Sequence, residues 1–115
     1  MDYDYNAPTV EHLDKTHEPF FKRIREASPE LPIVLVTRPK YREDADTAAR
    51  RDVIYRTYQN AIAAGDQNVY FVDGDDFFPL EERVLCSNDI CHPNDLGMYY
   101  MAKTIAPVIE KILNA

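Results

Sequence analysis

Asp89-Ile-Cys-His92 sets a carboxylate three residues before an imidazole, a spacing at which one tight turn brings the acid to the ring. A histidine that works as a general base needs such a partner, because the carboxylate fixes the tautomer and stabilises the imidazolium formed when the base takes a proton. Pro93 follows directly and stiffens the turn. The structural alternative is a loop histidine that merely holds its neighbour in place. A zinc site is a third reading, but Cys86, Cys91 and His92 are three ligands without a second cluster, whereas a structural zinc takes four. His12 and His17 stand five apart, which does not put two ligands on one helix face. Asp75 and Asp76 read as a solvated turn, and Cys91 as a structural thiol. The two serines, Ser28 and Ser87, are poor nucleophiles: Ser28 falls where a helix should end, and Ser87 lacks the glycine setting that exposes an attacking hydroxyl.

The elements around this segment must deliver it to one end of a sheet. Residues 9 to 28 carry Val10, Leu13, His17, Phe20, Phe21 and Ile24 at steps of three and four, the stripe of an amphipathic helix. Pro19 is expected to break it, so that the regular helix starts near Pro19 with Thr16 as cap. Leu31-Pro-Ile-Val-Leu-Val-Thr37 reads as a strand buried on both faces. Residues 44 to 64 repeat Ile54, Tyr58 and Ile62 every four positions, and Gly65 is placed to end that helix. Asn68-Val-Tyr-Phe-Val-Asp73 reads as a second buried strand, followed by a loop to about residue 94. Met98, Met101, Ile105, Ile109 and Ile112 then stripe a last helix capped by Asn94 or Asp95. Strand and helix alternate, which predicts an α/β fold with a short parallel sheet, the first two helices on one face and the last on the other. Asp89 and His92 fall at the carboxyl end of that sheet, where open α/β folds keep their sites.

In this setting, Asp89-Ile-Cys-His92-Pro-Asn-Asp-Leu-Gly97 resembles the final block of the SGNH (GDSL-like) serine esterases. The resemblance covers nearly the whole chain from that family's third strand onward, and it implies a single partial domain over 1–115 with a flavodoxin-like, three-layer α/β/α architecture. It implies that His92 is the base and Asp89 its orienting acid. In Asp2-Tyr-Asp-Tyr-Asn6-Ala-Pro-Thr9, Asn6 stands where the family has an amide of the oxyanion hole, a donor worth about 3 kcal/mol to a transition state. The family's Gly-x-Asn-Asp form is absent there, and the alternative reading of Asn6 is a side chain that caps or braces a turn. The Gly-Asp-Ser block that bears the nucleophile has no counterpart, nor does the oxyanion glycine. The implied activity is hydrolysis of small acyl esters, acetyl esters on carbohydrate foremost, without metal or organic cofactor. The chain alone is expected to be inactive. The alternative is a non-catalytic α/β interaction module or an inactive fragment.

Such a partial domain is expected to associate, either with a missing N-terminal half or with another copy, because the segment from Met1 to Tyr5 would form a raw sheet edge. Nucleic acid is an unlikely partner class for a chain of net charge -7 and isoelectric point near 4.8, since phosphate binding draws on clustered Lys and Arg. No apolar run approaches the roughly 20 residues needed to span a bilayer. Met1-Asp-Tyr-Asp-Tyr-Asn6 lacks the basic and apolar regions of a signal peptide, so the chain as written carries no address for secretion. Cys86 and Cys91 could close a small loop, and their redox state stays open.

Overall fold

The computed structural model describes residues 1–115. Helix α1 (Val10–Ala27) is followed by strand β1 (Ile33–Val36), helix α2 (Ala45–Ala63), strand β2 (Val69–Val72), two short 3-10 turns (Gly74–Asp76 and Leu80–Cys86) and helix α3 (Asp95–Leu113). The two strands pair in parallel, with Ile33 opposite Val69 and Val36 opposite Val72. Met1 extends the ladder on the other edge of β1: its amino group donates to the Val34 carbonyl at 2.5 Å, and its carbonyl accepts from Val36 N at 2.9 Å. The segment beyond Met1 leaves the sheet and bends through residues 4 to 9, so the expected N-terminal strand is reduced to this one residue.

Alternation along the strands divides the core into two layers, as a period of two requires. Ile33, Leu35 and Val69 pack with Leu13 and Phe21 of α1 and with Val53, Ile54 and Ala61 of α2. Val34, Val36 and Val72 face the opposite side, where Phe77, Phe78 and Cys86 meet Met101, Ile105 and Val108 of α3. The fold is therefore α/β in three layers, with α1 and α2 together on one face and α3 on the other.

Helix α1 differs from expectation at its start. It is continuous through Pro19 and is capped by Thr9, whose hydroxyl accepts from His12 N at 3.0 Å. Thr16 is no cap; its hydroxyl donates back to the His12 carbonyl at 2.8 Å inside the helix. The physical reason lies in burial. A proline inside a helix costs about 3 kcal/mol, but Leu13, His17 and Phe21, on both sides of Pro19, are buried, and each large apolar side chain so buried returns about 1.5 to 3 kcal/mol. Pro19 and Lys15, whose carbonyl loses its donor, both face solvent, so water satisfies the freed group. At the end of α2, Gly65 takes φ +90°, the left-handed conformation that ends helices.

The carboxyl ends of β1 and β2 are stitched together. Gly74 N donates to the Thr37 hydroxyl at 2.7 Å, and a Cβ on Gly74 would stand 1.9 Å from the Arg38 carbonyl oxygen. Only glycine permits the turn after β2 to lie this close to the turn after β1.

Candidate active site

The loop before α3 is organised almost wholly by its own residues. The Asp89 carboxylate accepts from the Cys91 and His92 backbone N–H groups through Oδ1, at 2.9 and 2.8 Å, while Oδ2 lies 2.8 Å from His92 Nδ1. The imidazole and the N–H groups stabilise the ionised form, and they hold the Asp89 carboxyl well below the usual carboxylate range. Ser87 completes the turn: its hydroxyl accepts from Ile90 N at 2.9 Å and lies 2.6 Å from the His92 carbonyl, to which it donates. An antiparallel bridge joins Ser87 to Pro93. Ile90, at the apex, has φ +60°, a conformation that costs a β-branched residue about 1 to 3 kcal/mol and persists only where its surroundings over-determine it.

Helix α3 starts from the same frame. Asn94 caps it, accepting from Gly97 N at 3.0 Å, and the Asn94 amide donates to the Leu85 carbonyl at 2.7 Å. A Cβ on Gly97 would stand 2.5 Å from the Cys86 carbonyl oxygen and 2.8 Å from Pro93 Cβ. Glycine thus lets the first turn of α3 sit against the end of the preceding 3-10 turn. The result is a His92 side chain 80% exposed, with Nδ1 engaged by the acid and Nε2 open to whatever approaches the sheet end.

Asn6 lies in the bend before α1, next to Tyr5, which lines a cleft beside the Asp89 loop. Its backbone N–H donates to the Tyr3 carbonyl at 3.1 Å, and its side chain is exposed without a hydrogen-bond partner, so the amide is unspent. The bend is fixed from below by Arg50, which is buried and donates to the Asp4 and Ala7 carbonyls at 2.8 Å each. Asp4 is buried as well, accepting from Tyr5 N at 2.8 Å and Arg38 N at 2.9 Å, and burial pushes its carboxyl up. The structure therefore brings Asp89 and His92 into contact and leaves Asn6 in a separate segment, without a direct bond to either. The cleft beside the Asp89 loop holds about 220 Å³ and is lined by Tyr5, Arg38, Tyr41, Thr47, Asp89 and Cys91 among others, with neither Asn6 nor His92 in its wall.

Arg38, which sequence reasoning passed over, is one of two arginines lining that cleft, beside Arg42. It donates to the Ile90 carbonyl at 2.8 Å and to the Thr47 hydroxyl at 3.0 Å, and its guanidinium lies 3.8 Å from the Tyr5 ring centroid. One signal could have found it, namely its position just after a buried strand, at the end of the sheet where sites collect. Tyr41 sits beside it with its hydroxyl buried and unpartnered, and burial pushes that phenol up to about 12. Ser28 caps the C-terminus of α1, ahead of β1 and so at the opposite end of the sheet. Cys86 and Cys91 are both free thiols, no group of three or more His, Cys, Asp or Glu is placed to hold a metal ion, and no helix is long and apolar enough to cross a membrane.

Residues 2–110 match the model of the GDSL-like lipase/acylhydrolase family. The chain belongs to this family. Two solved structures share its fold. One, described as a GDSL-like lipase from Bacteroides ovatus ATCC 8483, superposes with a TM-score of 0.77 at 23% identity, covering 93% of this chain and 33% of that one. The other, a salicylyl acyltransferase from a tetracycline biosynthetic pathway, gives a TM-score of 0.71 at 22% identity, covering 96% of this chain and 35% of that one. The chain thus spans about a third of the length of either structure. No curated protein matches it.

Proposed function

We propose that this chain supplies the acid–base half of a serine ester hydrolase, with His92 as general base, Asp89 as its orienting carboxylate and Asn6 as an oxyanion donor, and that the attacking serine comes from polypeptide outside these 115 residues. The observation that carries the reading is the 2.8 Å contact between His92 Nδ1 and Asp89 Oδ2, which leaves Nε2 free on a largely exposed ring. A general base needs one ring nitrogen fixed by its acid and the other free to take a proton, and the pairing at Nδ1 with exposure of the ring supports that role.

In the proposed reaction the serine hydroxyl adds to the ester carbonyl carbon as Nε2 takes its proton, and the carbonyl oxygen becomes an oxyanion beside the Asn6 amide. The imidazolium, stabilised by the Asp89 carboxylate, then gives that proton to the departing alkoxide, leaving an acyl-serine and a free alcohol. Water repeats the sequence: His92 takes its proton, hydroxide adds to the acyl carbon, and the carboxylic acid leaves as the serine regains a proton. No metal or cofactor is needed for any transfer. Small acyl groups, acetyl esters of carbohydrate foremost, are the proposed substrates.

A fluorophosphonate probe tests the division of labour, since it labels only an activated serine. The 115-residue chain should remain unlabelled, and covalent capture on Ser28 or Ser87 would refute the claim that the nucleophile lies elsewhere. Joined to a segment bearing the Gly-Asp-Ser block, the chain should hydrolyse p-nitrophenyl acetate, and His92→Ala should remove that activity.

A further inference from the structure

We infer that Arg38 is a positioning residue that clasps the two rims of the cleft, fixing the Asn6 bend relative to the Asp89–His92 loop. This rests on the proposed roles of Asn6, Asp89 and His92. Backbone and side chain both take part. Its backbone N–H donates to Asp4 Oδ2 at 2.9 Å, which ties it to the start of the Asn6 bend. Its guanidinium lies on the Tyr5 ring, the residue before Asn6, with 3.8 Å to the centroid. Its Nη2 then crosses the cleft to the carbonyl of Ile90, the residue after Asp89, at 2.8 Å. Its Nη1 is held by the Thr47 hydroxyl at 3.0 Å, and that hydroxyl donates in turn to Asp44 Oδ2 at 2.9 Å, anchoring the cation to the first turn of α2.

The need for such a clasp follows from the loop itself. The bonds that shape residues 87 to 93 are internal, but they close around an apex residue, Ile90, held at φ +60°, a conformation that persists only where its surroundings support it. The stems of the loop are held at Cys86 and Asn94, and at the apex the Ile90 carbonyl takes a contact from another element, a planar, always-charged donor. The same contact falls on the one non-glycine residue of positive φ, at the loop apex. Arg38 Nε has no acceptor although it is buried. The guanidinium lies instead against the faces of Tyr5 and, at 5.6 Å, Tyr41, an arrangement that holds the cation by its plane. Lysine could not reproduce it, because one ammonium lacks the flat fork that serves Thr47 and Ile90 together.

Amide hydrogen exchange on the 115-residue chain, comparing the parent with Arg38→Met, reads the clasp directly. The Cys91 and His92 amides on one rim and the Asn6 amide on the other should exchange at least about tenfold faster, while the Leu35 amide in the sheet is unchanged. The Asp89 carboxyl, followed by carbon-13 NMR, should titrate upward toward the ordinary carboxylate range in Arg38→Lys as well as in Arg38→Met, because lysine keeps the charge but cannot hold both rims, and a rise in Arg38→Met alone would report lost charge and count against the clasp. If Arg38→Met does not fold, Arg38→Gln, too short to reach both Thr47 and Ile90, is read the same way. Loop and bend amides that exchange as in the parent, with only the unfolding midpoint lowered, would overturn the inference, as would a response confined to one rim. Failure of the proposed chemistry is separable, because full activity in His92→Ala of the serine-bearing assembly would sink the base while leaving these exchange rates untouched.

Discussion

Acidification should weaken this fold through one buried histidine. His17 is fully buried between α1 and α2; its Nδ1 lies 2.8 Å from the Thr57 hydroxyl, and its Nε2 has no partner. A second proton on that ring would be a buried charge with nothing to answer it. Burial, aided by the positive N-terminal amine, accordingly lowers the His17 pKa from 6.5 to about 4. In the unfolded chain the ring binds its proton near pH 6.5, so between these values the unfolded state holds more protons and stability rises with pH. The contribution is complete above about pH 6.5 and is lost as pH falls toward 4, each pH unit removing about 1.4 kcal/mol, or about 3 kcal/mol in all. Against a typical domain stability of about 5 to 15 kcal/mol this is a large share. Asp4 opposes it, because burial raises its carboxyl and the folded state then gains protons as the solution is acidified. Asp89, whose carboxyl is lowered, withdraws stability only at lower pH, below the usual carboxylate value of 3.8. Urea denaturation from pH 7.5 to 4.5 measures the slope. His17→Gln, which can still bond Thr57 but cannot charge, should flatten it. A wild-type curve already flat across this range, or an unchanged slope in His17→Gln, would refute the reasoning.

Gly97→Ala should lower the melting temperature despite the better helix propensity of alanine, worth about 1 kcal/mol, because its Cβ would meet a backbone oxygen at 2.5 Å and a proline carbon at 2.8 Å, and overpacking of this kind costs about 1 to 3 kcal/mol; a raised melting temperature in a thermal scan would show that the site yields. Asp89→Asn in the serine-bearing assembly should reduce kcat by about 10⁴-fold, since an amide in place of the carboxylate no longer selects the tautomer that leaves Nε2 as acceptor, and steady-state esterase rates close to the parent would contradict that role. Sedimentation velocity of the chain alone should show association rising with concentration, driven by the edge at Met1 and by α3, which leaves Met98, Tyr99 and Leu113 exposed. A monomer at every concentration would argue against it.

The two core layers were legible in the sequence because they follow period: Leu13, His17 and Phe21 repeat every four residues, and Ile33 and Leu35 alternate with Val34 and Val36. The Asp89–His92 contact was legible for a related reason, since a three-residue turn leaves the acid few places to go. The start of α1 was misjudged because local propensity at Pro19 was set against a tertiary term, the burial of Leu13 and His17 before it, which no window of sequence displays. Arg38 was missed for the same cause: its partners stand 9 to 52 positions away in sequence. Nothing near Thr37-Arg38-Pro39 indicates which segments will surround it. The burial of the Cys86 thiol and the approach of Gly97 to the Cys86 carbonyl likewise emerge only from the packing of α3.

Because the hydrogen bonds that join Asp89, Ser87 and His92 span no more than five residues, the acid and the base find one another without waiting for any distant part of the polypeptide. Their pairing carries little loop-closure entropy. A hydroxyl arriving from elsewhere would meet a proton acceptor that is already oriented, and the remaining cost of assembly would be docking two finished surfaces rather than moulding one around the other.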